Sequence, residues 1–83
     1  MTPRPHPTPP PILQPPAFTP RQREVIYQIA LGLSNYQVGR VLGIAEKTVE
    51  AHLARIYAKL PDDDHRSRVG LARIAMAAGW LDP

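Results

Sequence analysis

The amino-acid sequence predicts an all-α fold: a four-helix bundle-like domain that contains a helix-turn-helix and is preceded by a disordered proline-rich tail. Between residues 20 and 78, apolar residues recur at intervals of three and four, which is the period of amphipathic helices and not of strands. Residues that start and stop helices divide the same stretch into four segments. Most of the chain's 11 prolines precede it, within residues 1–17.

Residues 1–17 are predicted to be a flexible tail, and residues 18–83 are predicted to be the domain. Each proline fixes φ, lacks an N–H donor and disfavours helix at the residue before it. We therefore expect the tail to be extended and polyproline-like. Its stretch 7–11 (PTPPP) has the composition of segments that bind aromatic grooves such as those of SH3 domains, but the composition favours a passive linker.

The composition limits the classes of protein that this chain can belong to. A chain of 83 residues holds one small domain. The absence of cysteine excludes disulfides and cysteine-based zinc sites and fits a reducing cytoplasm. No apolar run has the length of a membrane span or the character of a signal peptide. The net charge of +3 permits a polyanionic partner without requiring one.

The first two predicted helices each begin with a capping box. Thr19 and Gln22 form the first box, with Pro20 at the first helical position, and Ser34 and Gln37 form the second. Gly32 ends the first helix and Gly43 ends the second. The apolar faces consist of Val25, Ile26, Ile29 and Ala30 in the first helix, and of Val38, Val41 and Leu42 in the second.

The third predicted helix follows a tight turn at residues 44–45 and runs from about residue 46 to residue 60, just before Pro61. Its apolar residues are separated by four, three and four positions, so they form one continuous buried stripe. Two helices joined by a short glycine-containing turn, of which the second is longer and basic, are typical of a helix-turn-helix. The stripe consists of Val49, Leu53, Ile56 and Leu60.

A polar acidic loop at residues 62–65 leads to the fourth predicted helix, which Ser67 caps and Gly79 ends. This helix has two apolar arcs, of which one must pack on the domain. Val69, Ala72 and Met76 form one arc. We assign the other arc to a homodimer interface, although alanines are also tolerated at surfaces. The predicted interface residues are Leu71, Ile74, Ala75 and Ala78.

The face of the third helix opposite its buried stripe projects as a rib that fits the major groove of double-stranded DNA, the predicted partner. Alanines on this face permit close approach to base edges, and small side chains can contact thymine methyl groups. The start of the second helix supplies backbone N–H groups that can hold a phosphate. The predicted DNA-binding residues are Ser34, Asn35, Lys47, Thr48, Glu50, Ala51, His52, Ala54, Arg55 and Lys59.

Several of these residues have alternative interpretations. Lys47 and Arg55 suit phosphate neutralisation or guanine contact, although a solvated face also carries such charges. Lys59 either contacts phosphate or interacts with the helix dipole near its end. Glu50 either accepts from cytosine N4 or pairs with Arg55 or Lys47 and orients it. His52 lies beside the stripe, as a packed or a phosphate-contacting residue.

Five segments of the domain form a pattern that spans all of the predicted turns: 18–25 (FTPRQREV), 32–35 (GLSN), 42–44 (LGI), 47–53 (KTVEAHL) and 56–60 (IYAKL). They closely resemble the LuxR/GerE-type helix-turn-helix domain, and Arg68, residues 71–72 (LA) and residues 79–81 (GWL) are similar to its fourth helix. The resemblance implies a four-helix DNA-binding domain of bacterial transcriptional regulators, usually dimeric, and hence a location in the bacterial cytoplasm on the nucleoid. It also implies that the third helix enters the major groove and that the fourth mediates dimer contacts.

The sequence departs from the family's pattern at several positions. Ala45 replaces the usual serine or threonine cap of the third helix, a loss of about 1 kcal/mol. Gly39 replaces an alanine, which costs up to about 1 kcal/mol of helix propensity. Gln37 stands where glutamate is commoner, and the loop between Leu60 and Arg68 is longer than is typical. No receiver or ligand-binding domain precedes the motif, so we do not expect regulation by phosphorylation or an autoinducer within this chain.

Two alternatives to the regulator hypothesis remain. A module similar to sigma-factor region four shares the Thr48–Val49 core, but the fourth helix argues against it. A helix-turn-helix adaptor that binds a regulator or RNA polymerase would fit the modest charge and Glu50. An enzyme is not expected, because the sequence has no nucleophile–base set and no paired carboxylates outside the acidic loop. No cofactor or metal site is predicted, since none of the histidines has a metal-ligating residue three or four positions after it.

Overall fold

The structure, a computed structural model, describes residues 17–60 and 63–80. All regular structure in these ranges is helical, and no strand occurs in them, which confirms the all-α prediction. The predicted tail lies at residues 1–17, of which 1–16 are outside the described residues, so its boundary stays a prediction. The elements are α1 (Pro20–Ala30), α2 (Asn35–Leu42), α3 (Glu46–Ala58), a 3₁₀ helix (Asp63–His65) and α4 (Arg68–Ala77).

The helix starts follow the predicted capping chemistry. The Thr19 hydroxyl accepts from the Gln22 backbone N–H at 3.1 Å, and the Gln22 side chain accepts from the Thr19 N–H at 3.0 Å. Ser34 forms the equivalent box at α2, and Ser67 accepts from the Gly70 N–H at the start of α4. The N-cap of α3, Ala45, makes no side-chain cap hydrogen bond. The third helix therefore begins without the side-chain acceptor that each of the others has.

The hydrophobic core lies where α1 packs on α4 and α2 packs on α3. The predicted stripe of α3 is confirmed as part of this core. Phe18 also belongs to it and contacts the Trp80 ring edge-on, with 5.5 Å between the ring centroids. The core cluster consists of Phe18, Val25, Ile26, Ile29, Val38, Val49, Leu53, Ile56, Leu60, Leu71 and Ala75.

The buried face of α2 differs from the predicted one. Val41 is 57% exposed, so its assignment to the apolar face is wrong, whereas Gly39 is buried. A Cβ at Gly39 would lie 2.6 Å from the Ile44 carbonyl oxygen. The missing side chain lets the turn before α3 pack closely against α2 at Gly39. The propensity cost of this glycine therefore has a packing reason.

The predicted dimer interface on α4 is wrong at three of its positions. Leu71, Ile74 and Ala75 have exposed fractions of 0%, 4% and 0%, because this arc packs on the domain. Ala78 is half-buried. The opposite arc faces solvent, with Val69 63% exposed and Met76 62% exposed. A second copy could reach only this outer arc without unfolding the domain.

Gly70 contributes to the orientation of α4. A Cβ at this buried glycine would lie 2.6 Å from the Asp64 carbonyl oxygen and 2.8 Å from the His65 Cα. The 3₁₀ helix, which the sequence predicts only as a polar loop, therefore passes directly over α4 at this point. The long connection before α4 is thus packed on the helix that it precedes, and the face of α4 carrying Gly70 is covered.

Candidate nucleic-acid interface

The outer face of α3 is a solvent-exposed surface with small residues at its centre. Val49, Leu53 and Ile56 anchor the helix from the opposite side. Each of the alanines on the outer face is exposed, and so are the polar residues that flank them. These exposed residues are Lys47, Thr48, Glu50, Ala51, Ala54, Arg55 and Ala58.

The charges on this face have no partners of opposite charge within residues 17–60 and 63–80. The ion pairs of these ranges include Arg21 with Glu24 and Arg66 with Asp63, each at 2.9 Å and outside this face. No ion pair of the described residues joins Glu50 to Lys47 or Arg55, so the interpretation that Glu50 orients a neighbouring cation is not supported. Lys47 and Arg55 are therefore available to bind an external anion.

The start of α2 lies beside this face. Ser34 uses its hydroxyl oxygen as the helix cap, accepting from the Gln37 N–H at 3.1 Å. Asn35, the first residue of α2, keeps its backbone N–H free of an intrahelical acceptor, as helix geometry requires. Its side-chain oxygen accepts a hydrogen bond from Arg68. A crevice of about 250 Å³ connects Asn35 with the flank of α3 at Glu50 and Ala54.

Lys59 does not join the outer face of α3. Its ammonium donates to the Ala17 carbonyl oxygen at 2.8 Å and to Gln22 Oε1 at 2.7 Å. The same ammonium lies 5.7 Å from the centre of the Phe18 ring. This side chain therefore connects the end of α3 to the start of α1, and the phosphate contact of Lys59 stays a prediction.

His52 is half-buried at the edge of the stripe, between the outer face and the core. Tyr57, also half-buried, lines the crevice near Arg68. Burial raises the pKa of the Tyr57 phenol above its ordinary value, and the positive charge of Arg68 partly opposes that increase. Tyr57 is thus neutral at physiological pH and contributes a packing surface.

Two residues of this region were not predicted from the sequence as interacting groups. Gln22 was expected only in a capping box, yet it is 5% exposed and also accepts from Lys59. Arg68 was expected only as part of the family resemblance, yet it donates to the Leu33 carbonyl oxygen and to Asn35 at the start of α2. Both interactions span more than 30 residues, and no local spacing signals such pairs.

Other kinds of site are not found in the described part of the chain. In residues 17–60 and 63–80, no cluster of three or more acidic or histidine side chains has an arrangement that could hold a metal ion. Within the same ranges, none of the helices combines the length and the apolar character needed to cross a lipid bilayer.

A short α2, a left-handed glycine at Gly43 and a longer α3 with an exposed crest of alanines define a helix-turn-helix DNA-binding domain. Comparison with known proteins gives the family. Residues 16–75 match the profile of GerE, the luxR family of bacterial regulatory proteins. Because the match covers most of the chain, the protein belongs to the LuxR family and carries its DNA-binding, transcription-regulating domain.

Curated proteins similar to this chain include bacterial regulators. The nitrate/nitrite response regulator protein NarP of Escherichia coli (strain K12) is 43% identical over 52 residues, which is 63% of this chain and 23% of NarP. The transcriptional activator protein BjaR1 of Bradyrhizobium diazoefficiens is 40% identical over 55 residues, which is 66% of this chain and 23% of BjaR1. The transcriptional regulatory protein FixJ of the same species is 33% identical over 66 residues, which is 80% of this chain and 31% of FixJ.

The chain thus spans less than a third of the length of each of these relatives. No solved structure matches the chain significantly.

Proposed function

We propose that this protein binds double-stranded DNA sequence-specifically by inserting α3 into the major groove, and that it regulates transcription in the bacterial cytoplasm. The observation that carries this proposal is the outer face of α3, where exposed alanines lie between unpaired cations. An α-helix fits the major groove only if its leading face is not bulky. Ala51 and Ala54 satisfy this condition, while Lys47 and Arg55 lie at positions from which they can reach the phosphates.

The start of α2 is proposed to hold a backbone phosphate. Free N–H groups at a helix start, together with the positive end of the helix dipole, favour an anion. Asn35 supplies one of these N–H groups, and the Thr48 hydroxyl can donate to the same strand. His52, at the edge of the face, is proposed as a further phosphate contact. These contacts position the helix without selecting a sequence.

Sequence selection is assigned to Glu50 and Arg55. Glu50 can accept from cytosine N4, and Arg55 can donate to the O6 and N7 atoms of guanine. Truncating Arg55 to alanine should reduce discrimination at one base position by roughly 1 to 3 kcal/mol. A variant that no longer neutralises one phosphate should show a log–log dependence of affinity on salt that is shallower by about one.

Two copies are proposed to bind together, through the outer arc of α4. Val69, Ala72, Arg73 and Met76 line a groove of about 310 Å³ beside α1. One helix per partner buries little area, so this dimer should be weak in the absence of DNA. Met76→Glu should weaken binding to a two-half-site operator more than binding to one half-site. Equal losses on both DNAs would contradict the assignment of this face.

The decisive test is the Ala54→Glu variant in a gel shift with a half-site duplex. Ala54 is exposed, so the variant should keep the melting temperature of the parent protein. The new carboxylate faces the DNA backbone and base edges, so binding should be lost. Ala77→Glu adds the same charge at an exposed position of α4 and should bind the half-site normally.

The outcome also separates DNA binding from the adaptor alternative, in which the same face binds a regulator or RNA polymerase. An adaptor would show little DNA affinity at physiological salt, and helix α3 substitutions would disturb a protein partner instead. Undiminished DNA binding by folded Ala54→Glu protein would refute the assignment of α3 as the recognition helix.

A further inference from the structure

The location of Arg68 calls for an explanation. It is the first residue of α4, and the start of a helix carries partial positive charge, so a cation there is electrostatically unfavourable. Its side chain is half-buried, and the ion pairs found within residues 17–60 and 63–80 do not include it. Other interactions must therefore keep the guanidinium in this position.

The guanidinium is held by two acceptors, one in the connection between α1 and α2 and one at the first residue of α2. Arg68 Nη1 donates to Asn35 Oδ1, and Nη2 donates to the Leu33 carbonyl oxygen. These acceptors lie on either side of Ser34, the N-cap of α2. A planar fork of donors can hold both at once, which an ammonium cannot do with the same geometry. Arg68 therefore fastens the start of α2 to α4.

The same side chain lines the crevice between the start of α2 and the flank of α3. Asn35, Glu50 and Ala54 line this crevice together with Arg68. Of these, Asn35, Glu50 and Ala54 belong to the proposed DNA interface. A short DNA duplex is stiff. The start of α2 and the outer face of α3 must therefore be held at a fixed separation if both are to contact the same duplex.

We propose that Arg68 is a positioning residue of the DNA interface, which acts through Asn35 to set the start of α2 at the separation from α3 that one duplex requires. This proposal rests on the proposed function. It assigns to α4 a role in DNA binding that is independent of self-association, because a single copy contains all of the groups involved.

The test is a double-mutant cycle on a half-site duplex, with Arg68→Lys, Asn35→Ala and the combined variant. Arg68→Lys keeps the charge but loses the fork. It should bind roughly 10-fold more weakly, as expected for the loss of a hydrogen bond from a charged group. The salt dependence of its binding should equal that of the parent protein. Arg23→Lys, at an exposed position of α1, should bind as the parent does.

The combined variant separates positioning from direct contact. If Arg68 acts through Asn35, the affinity of the double variant for the half-site should be no lower than that of the single variant with the lower affinity. Additive losses would show that Arg68 contacts DNA on its own and would overturn the proposal. Affinity is measured at a temperature at which every variant is fully folded, so a purely structural role would change only the melting temperature, and that result would also overturn it.

Two controls keep the outcome interpretable. If Arg68→Lys does not fold, Asn35→Ala alone carries the test, and parent-like affinity of that variant would overturn the proposal. If Ala54→Glu binds DNA as well as the parent, the proposed function fails. If Ala54→Glu abolishes binding while Arg68→Lys leaves affinity unchanged, only the role of Arg68 fails.

Discussion

The third and fourth helices differ in how strongly their sequences determine which face is buried. In α3, the apolar residues form one stripe and the remaining positions are charged, polar or alanine, so only one orientation buries the stripe without burying charge. In α4, apolar side chains surround most of the helix. Leu71 and Ala75 are buried, yet Val69 and Met76 are exposed on the opposite side.

This difference shows that hydrophobicity alone does not orient a helix. In α4, burial of either arc would remove apolar surface from water, so the choice depends on contacts distant in sequence. Leu71 and Ile74 are buried, α4 packs on α1, and Gly70 admits the 3₁₀ helix. Charge distribution fixes α3, whereas shape and close backbone approach fix α4.

The largest expected effect contrasts adjacent residues of α4. Ala75→Glu places a carboxylate at a position with 0% exposure, and the uncompensated charge should cost more than about 4 kcal/mol, a large part of the stability of a small domain. Met76→Glu places the same carboxylate at a 62% exposed position and should change stability by less than about 0.5 kcal/mol. Thermal unfolding measures both. Similar melting temperatures would show that the orientation of α4 is wrong.

A smaller effect tests whether close backbone approach fixes α4. Gly70→Ala would ordinarily stabilise a helix by up to about 1 kcal/mol. Here the new Cβ would lie 2.6 Å from a backbone oxygen, so we expect a net destabilisation of roughly 1 to 3 kcal/mol. Ala51→Gly, at an exposed position of α3, is the control for helix propensity alone. It should lower the free energy of unfolding by about 1 kcal/mol, measured by denaturant unfolding. A more stable Gly70→Ala protein would mean that the 3₁₀ helix does not constrain α4.

The features that could be predicted from the sequence are those that depend on local interactions, as the orientation of α3 does. The capping boxes and the stripe of α3 were predictable because each depends on residues within a few positions of one another. The buried arc of α2, the arc of α4, and the interactions of Lys59 and Arg68 were not, because they depend on tertiary contacts. The place of Lys59 on a basic helix predicts a DNA contact, although its ammonium bonds to Ala17 and Gln22.

The smallest expected effect concerns the starts of α3 and α4. Here α4, and not α3, has the local interaction that its sequence predicts. Ser67 caps α4 by accepting from the Gly70 N–H at 3.0 Å, whereas Ala45 leaves α3 without a side-chain cap. Ala45 has the extended backbone of an N-cap, with φ −69° and ψ 151°, so a serine hydroxyl there can accept from an N–H of the first turn without backbone movement.

Ala45→Ser should therefore stabilise the protein by about 1 kcal/mol, which corresponds to roughly 4–8 °C in melting temperature. Ala45→Val cannot accept a hydrogen bond and serves as the control, with no expected gain. Ser67→Ala should lose a similar amount at α4. Half-site affinity of Ala45→Ser should stay at the parent value if the first turn of α3 is already formed before DNA binds. Tighter binding beyond the gain in stability would instead indicate that the uncapped turn is only partly formed in the free protein and that DNA completes it.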